Sequence, residues 1–264
     1  LSPDYEGKSG YGIDADGMME LDDHVGELLD LLDETGVADN TLVMWATDNG
    51  PACNSWPDGG NHPFAHEKGV GGFEGGFRVP VVIRWPGVVP AGVATGEFMT
   101  MQDWIPTIMS MLGQPDLAEQ LLTGTTIGDR EYRVHLDGVD QTDLITGAGP
   151  TKRKEFYYFT ETVLHGSRYG NWQVLVQTQD RWFNGIQQNF VTPLITNLKL
   201  DPFERFHSSR GFDEWQENHA WLYGPVGVQM QRFLSTFVDY PPRQRSFDLP
   251  IDELMNQLNP ARTR

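Results

Sequence analysis

With 264 residues, 39% of them hydrophobic and 11% aromatic, the chain has apolar mass for one large domain or two modest ones. A formal net charge of -18 and a pI near 4.6 argue against nucleic acid and anionic membrane surfaces, which would repel it within a Debye length of about 10 Å. No run approaches the ~20 apolar residues of a membrane span, and a single cysteine, Cys53, excludes an internal disulfide framework and a Cys-rich zinc site.

The first ten residues lack a starting Met, a basic segment and an apolar core, so no signal peptide is expected on the chain. Residues 11–36 read as a helix, with Leu21, Val25, Leu28, Leu29 and Leu32 on one face and Gly36 as its stop. The run 42–47 reads as a buried strand whose carboxyl end carries Asp48-Asn49-Gly50, a helix-then-strand unit suited to a mainly parallel sheet. Residues 50–76 are rich in Gly and Pro without periodicity, as in a functional loop. Val79 to Trp85 reads as a strand near a sheet edge, stopped by Pro86-Gly87. Met101 to Leu112 reads as a helix with Asp103 at its cap and Pro106 in its first turn.

Gly147 to Lys154 marks a boundary between residues 1–150 and 151–264. Beyond it, Phe156–Phe159, Trp172–Val176 and Phe190–Leu198 form β-rich runs separated by turn signals such as Tyr169-Gly170-Asn171, which predicts a small antiparallel sheet. A last helix is expected from about Pro225 to Val238, ended by Pro241-Pro242. The fold class is therefore α/β, a mainly parallel or mixed sheet flanked by helices, followed by an antiparallel α+β subdomain.

Asp48 and Asn49 present a carboxylate and an amide oxygen side by side, a donor pair suited to Ca²⁺ or Mg²⁺. On spacing alone a plain turn is the favoured reading, since Asp and Asn bond their own backbone there. Lys68, between glycine-rich stretches, offers an ammonium to a phosphate or sulfate oxygen, or is a solvated surface lysine. Glu74 and Arg78 read as structural supports, with Gly75 and Gly76 permitting close backbone approach. His62 and His66 are four apart beside Glu67, yet Pro63 argues against a helix and no third ligand is evident, so zinc is not expected. Cys53 reads as an inert thiol. Of the aromatic residues Trp172, Trp182, Phe183, Trp215 and Trp221, Trp182 and Phe183 are the best placed to stack on a ring, the rest being core.

Taken in order, several blocks resemble the sulfatase family of the alkaline-phosphatase-like superfamily. They are Leu21-Asp22-Asp23-His24-Val25-Gly26, Asn40-Thr41-Leu42-Val43 with Asp48-Asn49-Gly50, Lys68-Gly69 with Glu74-Gly75-Gly76-Phe77-Arg78-Val79-Pro80, Trp85-Pro86-Gly87, Asp103-Trp104-Ile105-Pro106-Thr107, and His135-Leu136-Asp137-Gly138. The later Asn197 to Glu204 and Tyr240 to Gln244 resemble the smaller C-terminal subdomain of bacterial arylsulfatase-type members.

The resemblance implies that Asp48 and Asn49 bind the active-site Ca²⁺, with Mg²⁺ the alternative, and that Lys68 contacts the sulfate as a catalytic and substrate-binding residue. It implies hydrolysis of a small-molecule or carbohydrate sulfate ester in a periplasmic or secreted protein. The family's formylglycine arises from a Cys/Ser-x-Pro/Ala-x-Arg motif, and Cys53-Asn54-Ser55-Trp56-Pro57 does not fit it. The chain thus resembles the C-terminal part of a sulfatase and is expected to be inactive alone. Another departure is Gln173 after Trp172, where relatives often carry Lys. The alternatives are phosphate or phosphonate ester hydrolysis within the superfamily, or a catalytically inactive binding protein.

Overall fold

The computed structural model describes residues 1–52, 63–160, 162–182 and 185–241. Cys53, His62, Phe183 and the Pro242-Arg243-Gln244 block lie outside the described residues.

The first helix, α1 (Ile13–Glu34), stops where Gly36 takes φ 71°, a left-handed geometry that glycine adopts without a Cβ penalty. Its apolar stripe is only partly covered. Val25, Leu29 and Leu32 are half-buried, but Leu21 and Leu28, expected on the buried face, are 40% and 62% exposed. Strand β1 (Val43–Ala46) pairs antiparallel with β2 (Val81–Arg84) in the register Val43–Arg84 to Ala46–Val81. The mainly parallel sheet expected from residues 11–85 is therefore not seen among the described residues, where every strand pair is antiparallel. Nor is β1 a fully buried strand: Met44 is exposed, as are Val81 and Val82 on its partner.

Helix α2 (Glu74–Phe77) is a single turn between them. Helix α3 (Trp104–Met111) follows a 3₁₀ turn in which Thr100 and Asp103 form a reciprocal capping box, and Pro106 sits in the first turn, where its missing N–H leaves no orphan. Short elements follow: α4 (Leu117–Thr123), the hairpin β3 (Thr125–Ile127) and β4 (Arg130–Tyr132), and α5 (Thr142–Thr146).

The C-terminal half is organised on a four-stranded antiparallel sheet in the order β5 (Glu155–Thr160), β6 (Val163–Tyr169), β7 (Trp172–Gln179), β8 (Gln187–Asn197). Side chains alternate between its faces. One row, Tyr158–Gly166–Leu175–Leu194, packs with Phe73 and Phe212, so this face covers the loop before α2 and helix α6 (Phe212–Asn218). The next row, Tyr157–Ser167–Val174–Ile195, faces α7 (Tyr223–Asp239) and the 3₁₀ turn before it, with Val174 and Ile195 against Leu222 of that turn and Val226, and the Tyr157 ring stacked on Phe233 at 3.7 Å. Leu175 and Ile195 are fully buried, each contributing roughly 1.5–3 kcal/mol of transfer free energy.

His165 is skipped in the β5–β6 register, where Tyr158 opposes Gly166 and Phe159 opposes Leu164. Such a bulge re-aims a side chain, and a Cβ on Gly71 would lie 2.1 Å from the His165 ring, so the imidazole is packed on the loop before α2.

Candidate active site

The tip that follows Asp48 and Asn49 is bonded to the backbone of the loop that carries Lys68. Asp48 and Asn49 follow β1 after Thr47, Asp48 exposed and Asn49 half-buried. The Gly50 N–H donates to the Gly76 carbonyl at 3.1 Å, and the Lys68 N–H donates to the Pro51 carbonyl at 2.9 Å. The Asp48–Pro51 tip is thus fastened to both the Lys68 end and the α2 end of one loop. Glycine is required at this seam, because a Cβ on Gly50 would lie 1.7 Å from the Gly75 carbonyl oxygen. The glycines that permitted close approach in the sequence meet the loop's own backbone: a Cβ on Gly75 would stand 2.1 Å from the Ala65 oxygen, and one on Gly76 2.7 Å from the Glu67 oxygen.

Lys68 is half-buried, with its Nζ 5.1 Å from the centre of the Trp182 ring, a cation–π contact. Trp182 also lies on Gly69, where a Cβ would stand 2.1 Å from the indole. Lys68 is thus bonded through its backbone to the Asp48–Pro51 tip and through its ammonium faces Trp182. The remaining tryptophans sit elsewhere: Trp172 and Trp215 pack with His219 beside α7, and Trp221, grouped with them as core, is 61% exposed.

His66 stacks on Phe73 at 4.2 Å in a left-handed backbone conformation, φ 64°, and burial holds its pKa below the usual imidazole value. Glu74 and Arg78, read as supports, part company. Glu74 is buried, accepts the Tyr158 hydroxyl at 2.9 Å and lies 3.6 Å from the Arg168 guanidinium, whereas Arg78 is exposed, 4.0 Å from Glu74 and over the Phe64 ring. Gln173, in the position where a Lys was noted for relatives, is fully buried and donates through Nε2 to the Gly72 carbonyl at 2.8 Å.

Two residues that local pattern did not single out complete the support. Glu204 is 1% exposed and accepts the Glu74 N–H at 2.8 Å. Burial, reinforced by the Glu74 carboxylate, pushes its pKa to about 8. Arg153 is buried against Asp103. In sequence, Glu204 sits in a Asp-Pro turn and Arg153 in a basic run, and neither setting signals burial.

Asp48 and Asn49 are hard donors of the right kind for Ca²⁺ or Mg²⁺, and the Asn49 Nδ2 donates to the Gly50 carbonyl, which leaves the amide oxygen as its ligating atom. They supply two of the roughly six to eight oxygens Ca²⁺ takes, and among the described residues no group of three His, Cys, Asp or Glu side chains is placed to hold a metal.

The sulfatase family model matches residues 10–114. N-acetylgalactosamine-6-sulfatase of Mus musculus is 30% identical over 237 residues, covering 82% of this chain and 43% of that protein. Arylsulfatase D of Homo sapiens is 31% identical over 169 residues, covering 62% of this chain and 26% of that protein. Among solved structures, the PsFucS1 sulfatase from Pseudoalteromonas sp. is 26% identical with a TM-score of 0.76, covering 92% of this chain and 46% of that one. The chain thus spans less than half the length of the relatives it matches.

Proposed function

We propose, for a chain whose residues 10–114 carry the sulfatase family pattern, that it supplies one wall of the active site of a sulfuric ester hydrolase with the alkaline-phosphatase-like fold. The observation that supports this is the pair of backbone bonds, Gly50 to Gly76 and Lys68 to Pro51, that tie the segment carrying Asp48 and Asn49 to the loop carrying Lys68. Lys68 meets a sulfate oxygen as a point charge, and Trp182 limits the positions its ammonium can take. Asp48 and Asn49 hold Ca²⁺, with Mg²⁺ the alternative, and their remaining co-ligands come from outside the described residues. When bound, that cation neutralises charge on the sulfuryl oxygens.

The nucleophile, a formylglycine in the family, is contributed by residues outside this sequence, in keeping with the 43% of the mouse relative that the chain spans. The exposed apolar side chains on α1, β1 and β2, among them Leu28, Met44 and Val82, are faces that a further packed layer would bury. The substrate class is a carbohydrate sulfate ester, by kinship with proteins named for N-acetylgalactosamine 6-sulfate cleavage.

The test is titration of the 264-residue chain with CaCl₂ and with sodium sulfate, beside an aryl sulfate assay. Expected are sulfate binding weakened at least tenfold by Lys68→Ala, Ca²⁺ binding lost in Asp48→Ala, and no turnover by the chain alone. Sulfate binding indifferent to Lys68→Ala overturns the site, and turnover by the chain overturns the external nucleophile.

A further inference from the structure

From Gly170 to Leu198 the sequence carries two charged side chains, Asp180 and Arg181, both in the turn of the β7–β8 hairpin, although 21% of the chain is charged and its net charge is -18. Burial does not account for this. Ile186, Gln187, Gln188, Asn189, Val191 and Thr192 are all exposed. Strand β8 is also the edge of its sheet, where an exposed strand is ordinarily guarded by charged side chains against pairing with another chain. Here the guard is different. Pro193 has no N–H and its carbonyl accepts the Tyr223 hydroxyl at 2.8 Å, while the Ile195 N–H donates to the Gln216 Oε1 at 3.2 Å. Asn189 to Leu194 on β8 opposes only Gln177 to Leu175 on β7, so the ladder is broken between them. A strand from another chain meets no continuous edge.

The uncharged surface joins Lys68 on one face of the sheet. Leu175, Gln177 and Gln179 alternate to the same side of β7, and cross-strand partners share a face, which sets Asn189 beside Gln177 and Gln187 beside Gln179. The inner part of this face, Leu175 with Leu194, packs with Phe73 of the loop that follows Lys68. Its outer part is made of carboxamides. The Gln179 Nε2 donates to the carbonyls of Arg181 and Trp182 at 2.6 Å each, and its Oε1 lies 3.5 Å from the Gln187 Nε2. Trp182 in turn faces the Lys68 ammonium at 5.1 Å. Contacts thus lead from Lys68 through Trp182 and Gln179 to Gln187, and Asn189 lies about 7 Å further along the strand.

We propose that this amide row extends the Lys68 site and binds the sugar rings next to the sulfated one, so that the substrate is a sulfated oligosaccharide or polysaccharide. A carboxamide carries two N–H donors and an acceptor oxygen, which match hydroxyls that both donate and accept; a carboxylate only accepts and an ammonium only donates. Charge favours the same placement. A polyanionic chain is repelled by the acidic surface of this protein within a Debye length of about 8 Å, whereas the hairpin has one carboxylate, Asp180, whose Oδ1 already accepts the Ile186 N–H. The inference rests on the reading of Lys68 as the sulfate contact and extends that site from one ring to a chain of them.

The test is calorimetric titration of the 264-residue chain with inorganic sulfate and with tetrasaccharides of chondroitin 6-sulfate and of dextran sulfate, with sedimentation velocity alongside. It compares the wild type with Lys68→Ala, with Gln187→Ala plus Asn189→Ala, and with Gln187→Glu plus Asn189→Glu. Urea unfolding midpoints control for folding, and substitutions at these two exposed positions are expected to leave them unchanged. A tetrasaccharide is expected to bind at least tenfold more tightly than inorganic sulfate. The alanine pair loses most of that advantage and the glutamate pair all of it, with affinity for inorganic sulfate unchanged in both, while Lys68→Ala weakens both ligands. The proposal fails if neither tetrasaccharide exceeds inorganic sulfate, or if the hairpin variants keep the advantage. A wild type that self-associates and becomes monomeric in the glutamate pair also overturns it, giving the face to a second copy. If Lys68→Ala leaves sulfate binding unchanged while the hairpin variants still lose the tetrasaccharide, the Lys68 reading falls and the extension from it falls too, but carbohydrate binding by the hairpin stands.

Discussion

Arg153 grips Asp103 through its Nε, which donates to both carboxylate oxygens at 3.0 and 2.9 Å, with the two side chains 5% and 0% exposed. The pair has few unmet valences. Asp103 also accepts the N–H groups of Thr100 and Val139, and the Arg153 guanidinium donates to the carbonyls of Glu155 and Asp137. Removing one partner strands a buried charge, so Arg153→Ala is expected to cost about 3–5 kcal/mol in urea unfolding. Arg153→Lys keeps the charge but cannot form the fork, and is expected to fall between. A loss below about 1 kcal/mol for Arg153→Ala would show the pair to be dispensable.

Stability should fall as pH rises from 6.5 to 8. The folded chain keeps a proton on Glu204, whose pKa is pushed from the usual 4.5 to about 8 by burial and then by the Glu74 carboxylate, while the unfolded chain has released it. The folded state therefore loses its advantage as pH climbs through 8. His66 and His165 act in the opposite direction: burial lowers both, so below about pH 6.5 the unfolded chain takes up protons that the folded one refuses. Between those limits Glu204 governs, with a loss of up to about 2 kcal/mol over the window. Urea melts at pH 6.5 and 8 should show this slope in the wild type and a flat response in Glu204→Gln. Parallel responses would remove Glu204 as its source.

Glycine substitutions should separate the seam from the open surface. Gly50→Ala drives a Cβ into the Gly75 carbonyl, and backbone on both sides leaves it nothing soft to displace. It is expected to cost about 1–3 kcal/mol and to weaken Ca²⁺ binding by the chain. Gly26→Ala, within α1 and with open space around it, should instead raise α1 helicity by circular dichroism, in line with a propensity gain of about 1 kcal/mol. Equal effects would mean that the Gly50–Gly75 approach is not enforced.

What could be read from the chain follows the range of the signal. The three-to-four-residue period marked α1, α3 and α7 to within a few residues, and β-branched and aromatic runs marked β5, β7 and β8. Strand β6 escaped because Val163-Leu-His-Gly-Ser-Arg-Tyr mixes polar residues with a glycine and carries the His165 bulge, which breaks the two-residue period. Helices α4, α5 and α6, of five to seven residues, are too short to show a period. At the site, Asp48, Asn49 and Lys68 stand out by residue type. The bonds that gather them are made by backbone groups of Gly50, Pro51 and Gly76, and Glu204 acts across 130 residues, so no local window shows either.

Trp182 should tune Lys68 rather than bind sulfate on its own. The ammonium sits 5.1 Å from the indole centre, a contact worth about 0.5–1 kcal/mol when half-exposed. Losing it has two opposed effects: Lys68 is released to pair more freely with an anion, but it must then be ordered from a side chain whose rotamer freedom is worth up to about 2 kcal/mol. The indole also packs on Gly69, the residue next to Lys68, so its removal opens a void under the loop as well. Ordering and packing together outweigh the released contact. Trp182→Ala is therefore expected to weaken inorganic sulfate binding by about three- to tenfold, and Trp182→Phe, which keeps a ring face, by less. Sulfate binding strengthened in Trp182→Ala would show that the indole competes with the anion for Lys68.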